Sequence, residues 1–249
     1  MATHFKGPIL YSAARKGLEN LQVGVWTNQA VFVDDFTGIL LDATNDWTVV
    51  KDSGATVAIT ADAATGVLAL TSAATTDDDG ASIQANEIWG LTDLSAGEKL
   101  YFESRFSIAS SAGSSVGQMD IWVGLCENFA TAPENAFTAS NRIGFQLDDG
   151  SSLTRLISEA SDTETETELA STYNLTDATY VTLGFVATKG TSGDIVQYYY
   201  NRKLVGTHST NVPTALMTTA MVEVTGDNTG TKSMSIDYIM AAVDRGVTY

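Results

Sequence analysis

The chain has 249 residues, with 13 basic and 30 acidic side chains and a net charge of −17. That balance excludes nucleic acid as the main partner, because a phosphate backbone would be repelled. Cys126 is the only cysteine, which rules out a disulfide within the chain and fits a reducing compartment or a particle assembled in one.

Residues 1–30 differ from the rest. They hold Lys6, Arg15 and Lys16 against the single acid Glu19, whereas the other 219 residues carry ten basic and twenty-nine acidic side chains. The apolar residues of this stretch, from Phe5 to Trp26, do not alternate as in a strand. Its charges interrupt what would otherwise be the apolar run of a secretory leader. We expect an extended arm with one short helical turn over 12–21, capped by Ser12. An apolar, slightly basic arm in front of an acidic body suits docking onto something larger. The docking residues are Phe5, Lys6, Ile9, Leu10, Tyr11, Arg15, Lys16, Leu18 and Leu21.

Residues 31–249 are expected to form a single all-β domain. Short strands are predicted at 31–36, 47–50, 56–60, 67–71, 82–85 and 99–108, separated by Gly, Asp and Ala breaks. Further strands are predicted at 118–125 and 142–147, then at 153–158 beyond a hairpin turn at Asp148-Asp149-Gly150. Thr163 to Glu168 alternates Thr and Glu. This reads as a solvated edge strand whose charge blocks edge pairing. Strands at 180–187, 195–200, 204–207, 221–225 and 233–243 complete the set. About a dozen strands with almost no helical periodicity point to a sandwich or jelly roll. A chain this long buries roughly 70–75% of its unfolded surface, so its core needs no disulfide or metal. No run approaches the ~20 apolar residues of a membrane span.

Few residues suggest chemistry. Asp77-Asp78-Asp79-Gly80 lacks the spacing of a calcium loop and reads as an acidic turn. His4 and His208 are the only histidines and have no partners at ligand or triad spacing, so no metal site is expected. Cys126 reads as a small buried side chain. No phosphate-binding loop or cofactor motif appears. Tyr198 and Tyr200 share one strand face. They fill the core or a subunit contact, or, if exposed, stack on a glycan.

The segment Asp194-Ile195-Val196-Gln197-Tyr198-Tyr199-Tyr200-Asn201-Arg202-Lys203-Leu204-Val205-Gly206, with Ser235-Ile236-Asp237-Tyr238-Ile239 near the end, resembles the concanavalin-like and laminin-G-like jelly rolls. The resemblance covers about residues 95–245, with Arg202 where the turn usually has glycine. It implies a β-sandwich and little about function, since that fold hosts lectins, hydrolases and structural proteins. Glucanases of this fold carry a Glu-x-Asp-x-Glu strand whose carboxylates share a face. Here the row reads Gln118, Asp120, Trp122, so only the middle acid remains and no hydrolase activity is expected.

The opening Thr3-His4-Phe5-Lys6-Gly7-Pro8-Ile9-Leu10-Tyr11-Ser12 resembles the start of structural proteins in tailed-phage head modules. An arm ahead of a jelly roll is similar to phage capsid decoration (cement) proteins. That resemblance implies a non-enzymatic homotrimer on the virion exterior, made in the host cytoplasm and clamping neighbouring subunits of the major capsid protein. It brings no catalytic residue, cofactor, nucleic acid or membrane. The alternative expectation is a lectin-like, carbohydrate-binding module.

Overall fold

The computed structural model describes residues 29–38, 41–60, 66–73, 78–110, 118–151, 153–225 and 230–244. Among these residues the strands are β1 (Gln29–Asp34), β2 (Trp47–Lys51), β3 (Thr56–Ile59), β4 (Leu68–Thr71), β5 (Gly80–Trp89), β6 (Lys99–Ser110), β7 (Met119–Cys126), β8 (Asn141–Leu147), β9 (Arg155–Ala160), β10 (Thr163–Glu168), β11 (Val181–Thr188), β12 (Ile195–Tyr200), β13 (Lys203–His208), β14 (Met217–Thr225) and β15 (Lys232–Asp244). They build two antiparallel sheets, one in the order β13-β12-β11-β6-β15-β4-β3 and the other β10-β9-β8-β7-β14-β5-β2. β1 is the eighth strand of the first sheet and pairs with β15. The jelly-roll sandwich expected from the sequence is therefore present. The arm residues from Phe5 to Leu21 and the helical turn at 12–21 lie outside the described residues. β1 opens at Gln29, opposite Asp244, so residues 29 and 30 belong to the sandwich and not to the arm.

The period of two sets the layers. On β6, Leu100, Phe102, Phe106 and Ile108 point inward; on β11, Leu183, Phe185 and Ala187 do the same. From the facing sheet come Ile121, Val123 and Leu125 of β7 and Ile143, Phe145 and Leu147 of β8. Phe145 meets Tyr198 across the interlayer with ring centroids 5.6 Å apart, edge to face. Such a pair adds about 0.5–1.5 kcal/mol beyond its buried area. β14 departs from alternation, being buried at every position. Its inner Met217 and Met221 join the interlayer core, and its outer Ala220, Val222 and Val224 join a second cluster on the far face of the sheet.

Two hairpins close with residues in the left-handed region. Ser161 (φ 51°) and Asp162 (φ 62°) turn β9 into β10, and Asn201 (φ 47°) and Arg202 (φ 65°) turn β12 into β13. Two successive positive φ angles are the type I′ pattern, whose twist matches the flanking strands. The glycine missing from the Asn201-Arg202 turn is compensated locally. Asn201 donates its backbone N–H to the Thr182 carbonyl at 2.7 Å, and its side-chain oxygen accepts the Thr182 N–H at 2.9 Å.

Candidate functional site

The row Gln118, Asp120, Trp122 lies on the outward face of the seven-stranded sheet. Gln118 immediately precedes β7, while Asp120 and Trp122 alternate with the inward Ile121 and Val123. Trp122 is fully buried even though it faces outward. Beneath it, Gly124 and Gly144 pair across β7 and β8. A Cβ on Gly144 would sit 2.5 Å from the Val123 carbonyl oxygen and 3.0 Å from the Trp122 ring. The indole therefore lies across a floor that only glycine permits.

A segment of the chain covers half of this face. After Cys126 it runs out over the sheet, forms a 3-10 turn at Pro133–Thr138, and returns to β8. Phe129 and Ala136 are buried against Trp122, Cys126, Val222 and Val224. Gln84 of β5 fixes the segment from below. Its Nε2 donates to the Phe129 carbonyl at 2.6 Å and its Oε1 accepts the Phe129 N–H at 3.0 Å. Cys126 lies in this cluster as expected, and burial pushes its thiol above the ordinary range. The outer face of β14 is thus dry, which explains its continuous burial.

Charges occupy the other half of the face. Arg142 of β8 stands over the Trp122 ring, 5.4 Å from its centroid. Its Nε meets Glu159 at 2.6 Å, its Nη1 meets Gln146 at 2.9 Å, and its Nη2 contacts Glu164. Arg155 contacts Asp148 and lies 3.5 Å from Glu166. β10 is an edge strand, as expected, and its residues are mostly exposed. However, Glu164 and Glu166 bind arginines of β8 and β9, so their role is not purely solvation.

Asp120 stands at the border of these two halves. Burial pushes its carboxyl up to about 6, and the carboxylates of Asp149, Asp148 and Asp78 push the same way. The Asp149 N–H, donated to Oδ1 at 2.7 Å, opposes them. A carboxyl titrating there can release or take up a proton under mildly acidic conditions and can accept hydrogen bonds from hydroxyl groups.

The remaining candidates disperse. Tyr198 and Tyr200 do share a face, but it is the inward one. Tyr198 is fully buried, donates its hydroxyl to the Ile157 carbonyl at 2.6 Å, and offers no surface to a glycan. Tyr200 is half-buried, packs edge-on against Tyr173, and donates to the Asn174 carbonyl at 3.1 Å. Asp78 and Asp79 tie β14 to the start of β5: the Asp78 N–H donates to the Thr225 carbonyl, and the Thr225 N–H donates to that of Asp79. Among the described residues, no group of three or more His, Cys, Asp and Glu is placed to hold a metal ion. No helix among them is long and apolar enough to cross a membrane. The covering segment and its Gln84 anchor were not foreseen. Pro133 and Asn135 mark only a loop in the sequence, and nothing local connects Gln84 to Phe129, 45 residues away.

No family model and no curated protein sequence matches the chain. Solved structures do. An endo-1,3-beta-glucanase from Streptomyces sioyaensis aligns with a TM-score of 0.59 and 11% identity, over 88% of this chain and 98% of that one. The carbohydrate recognition domain of Emp47p aligns with a TM-score of 0.58 and 11% identity, over 88% and 98%. A glycoside hydrolase family 16 endo-glucanase from Bacteroides ovatus gives 0.57 and 12%, over 84% and 99%. At such identities the likeness establishes the fold, a concanavalin-like jelly-roll sandwich. It also corrects the expectation that the chain is not an enzyme, since two of these three similar structures are glucanases. Of the strand row that carries carboxylates in glucanases of this fold, Asp120 stays on the outward face, with its carboxyl raised by burial.

Two measurements test this geometry. Gln84→Ala leaves the buried N–H and carbonyl of Phe129 without partners. It is expected to lower unfolding free energy by about 2–4 kcal/mol in urea titrations. Asp120 has a folded pKa above its unfolded value, so its contribution to stability is present at low pH and is lost as pH rises through about 6. Asp120→Asn keeps the acceptor for the Asp149 N–H and removes that loss. Calorimetry is expected to show the variant melting above the wild type at pH 7 and level with it near pH 4.

Proposed function

We propose that the chain is a structural protein of a phage virion, bound to the outside of the capsid and bridging subunits of the major capsid protein. The observation that carries this reading is the charge and composition break near residue 30. A net-positive, apolar stretch precedes a body that carries a net charge of −19. Apolar contact from the arm contributes roughly 25 cal/mol per Å² buried. Homotrimerisation at a three-fold site multiplies a weak single attachment through effective concentration. The sandwich, with half of one face filled by its own chain, serves as a rigid acidic cap.

A second reading is carbohydrate binding on the virion or a cell surface, favoured by the likeness of the fold to a carbohydrate recognition domain and to glucanases. The groups available for it are the margin around Asp120, Gln146 and Asp148, and not Tyr198. Sugar hydroxyls are bound by such planar, bidentate acceptors and donors.

Deleting residues 1–28 is expected to leave a folded sandwich by circular dichroism and to abolish co-sedimentation with capsids. Full occupancy by the truncated protein would overturn the docking reading. Incubation of the whole chain with a glycan array and with β-glucans tests the second reading. Saturable binding or turnover that is lost in Asp120→Ala would support it, whereas activity unchanged in that variant would place the site elsewhere.

A further inference from the structure

The two lateral sides of the sandwich are closed by different means. On one side, where β2 and β3 end the sheets, Trp47, Val57 and Ile59 join the apolar core. On the other, the edge strands β13 and β10 come together through hydrogen bonds centred on His208. This side chain is 3% exposed. Its Nδ1 lies 2.9 Å from Ser158 Oγ on β9, and its Nε2 lies 3.0 Å from Thr167 Oγ1 on β10. The Tyr198 ring of β12 packs against the imidazole edge-on at 5.0 Å. Beside it, Thr210 Oγ1 meets Thr165 Oγ1 at 2.9 Å, and Asn211 Nδ2 donates to the Glu164 carbonyl at 3.2 Å and to Thr165 Oγ1 at 3.0 Å.

The donors and acceptors of this seam accommodate a neutral ring. Ser158 donates to the Thr210 carbonyl at 3.2 Å, which can only accept. Nδ1–H then donates to Ser158 Oγ, and Nε2 accepts the hydroxyl proton of Thr167. The Tyr198 hydroxyl is committed to the Ile157 carbonyl. The neutral imidazole is therefore satisfied at both nitrogens. A second proton, on Nε2, turns the Thr167 hydroxyl from donor to acceptor and places a positive charge on a buried ring. No carboxylate is turned toward the ring. Glu159, Glu164 and Glu166 project to the opposite face of the sheet, toward Arg142 and Arg155. The groups facing the ring from β9, β10, β12 and the 209–211 turn are hydroxyls, carbonyls and the Tyr198 phenol.

We infer that His208 is a pH-sensitive clasp: neutral, it holds the β10 and β13 edges of the two sheets together, and protonated, it releases them. Burial holds the imidazole below its ordinary range. The unfolded or opened form thus binds the proton more tightly, so the clasp is at full strength above the ordinary imidazole pKa of about 6.5 and weakens as pH falls below it. The apolar side has no such group and stays closed.

Amide hydrogen exchange of the full chain between pH 7.5 and 5, corrected for intrinsic rates, reads the clasp directly. Protection in β10 and β13 is expected to fall by up to about tenfold per pH unit below the transition, the limit for one proton. Protection in β6 and β15 should stay level. In His208→Gln, protection of β10 and β13 should no longer depend on pH. Glu164 also titrates near β10, held above its ordinary range by burial, and the variant separates its effect from that of His208. A nuclear magnetic resonance titration of the His208 ring in the wild type should have its midpoint where protection is lost. Protection independent of pH in the wild type, equal pH dependence in His208→Gln, or a ring titration that does not coincide with the loss would each overturn the proposal.

Discussion

The paired hydrogen bonds between the Gln84 carboxamide and the Phe129 backbone hold the most consequential contact of the sandwich. Without them, the segment after Cys126 would have to bury its own polar backbone on an apolar sheet face at a cost of about 1–3 kcal/mol per unpaired group. With them, Phe129 and Ala136 seal Trp122, Val222 and Val224 from water. The outer face of β14 and the Cys126 thiol are buried in the cluster that this anchor holds in place.

The same contact shapes what the outward face can do. Gly144 leaves room for the Trp122 indole, and Arg142 stands over the indole with Glu159, Glu164 and Gln146 around its guanidinium. A buried arginine is tolerated when its donors are matched this completely, because an unpaired charge in that position would cost several kcal/mol. Asp120 is left at the edge with one backbone donor and three acidic neighbours. It is the one carboxyl of the Gln118-Asp120-Trp122 row, and the combination of burial and like charge makes it readily protonated. Elsewhere in the same sheet, Glu223 on β14 is fully buried and is pushed up to about 8 by burial, with Ser72 and Lys232 beside it.

Much of the architecture could be read from the residues. The strands predicted at 47–50, 99–108, 142–147, 195–200 and 233–243 fall on β2, β6, β8, β12 and β15, where alternation or apolar runs are bounded by turn residues. The edge position of β10 was legible in its Thr-Glu repeat, because charge on one face is how exposed edges avoid pairing. Several strands run longer than expected, β5 and β14 most of all. β5 continues past Ala85 to Trp89, with Asn86 at the irregularity opposite β14 and its side chain bonded to Thr48 and the Asn45 carbonyl. β14 begins at Met217, four residues before the strand expected at 221–225, and carries Thr218 and Thr219 buried. The site was less legible. The Asp120 row was singled out through the resemblance to glucanases of this fold, whereas the cover over it depends on a contact 45 residues apart in the chain. Tyr198 and Tyr200 were placed on a common face by period alone, and only the packing against Phe145 and Phe185 decides that this face is the core.

The closed cover over the seven-stranded sheet has one direct reporter, because Cys126 lies beneath it and is the only thiol in the chain. Native protein exposed to a thiol-reactive dye should remain unlabelled over hours and react fully once unfolded in guanidinium. Rapid, stoichiometric labelling of the native protein would contradict the arrangement of Gln84, Phe129 and Trp122 described above.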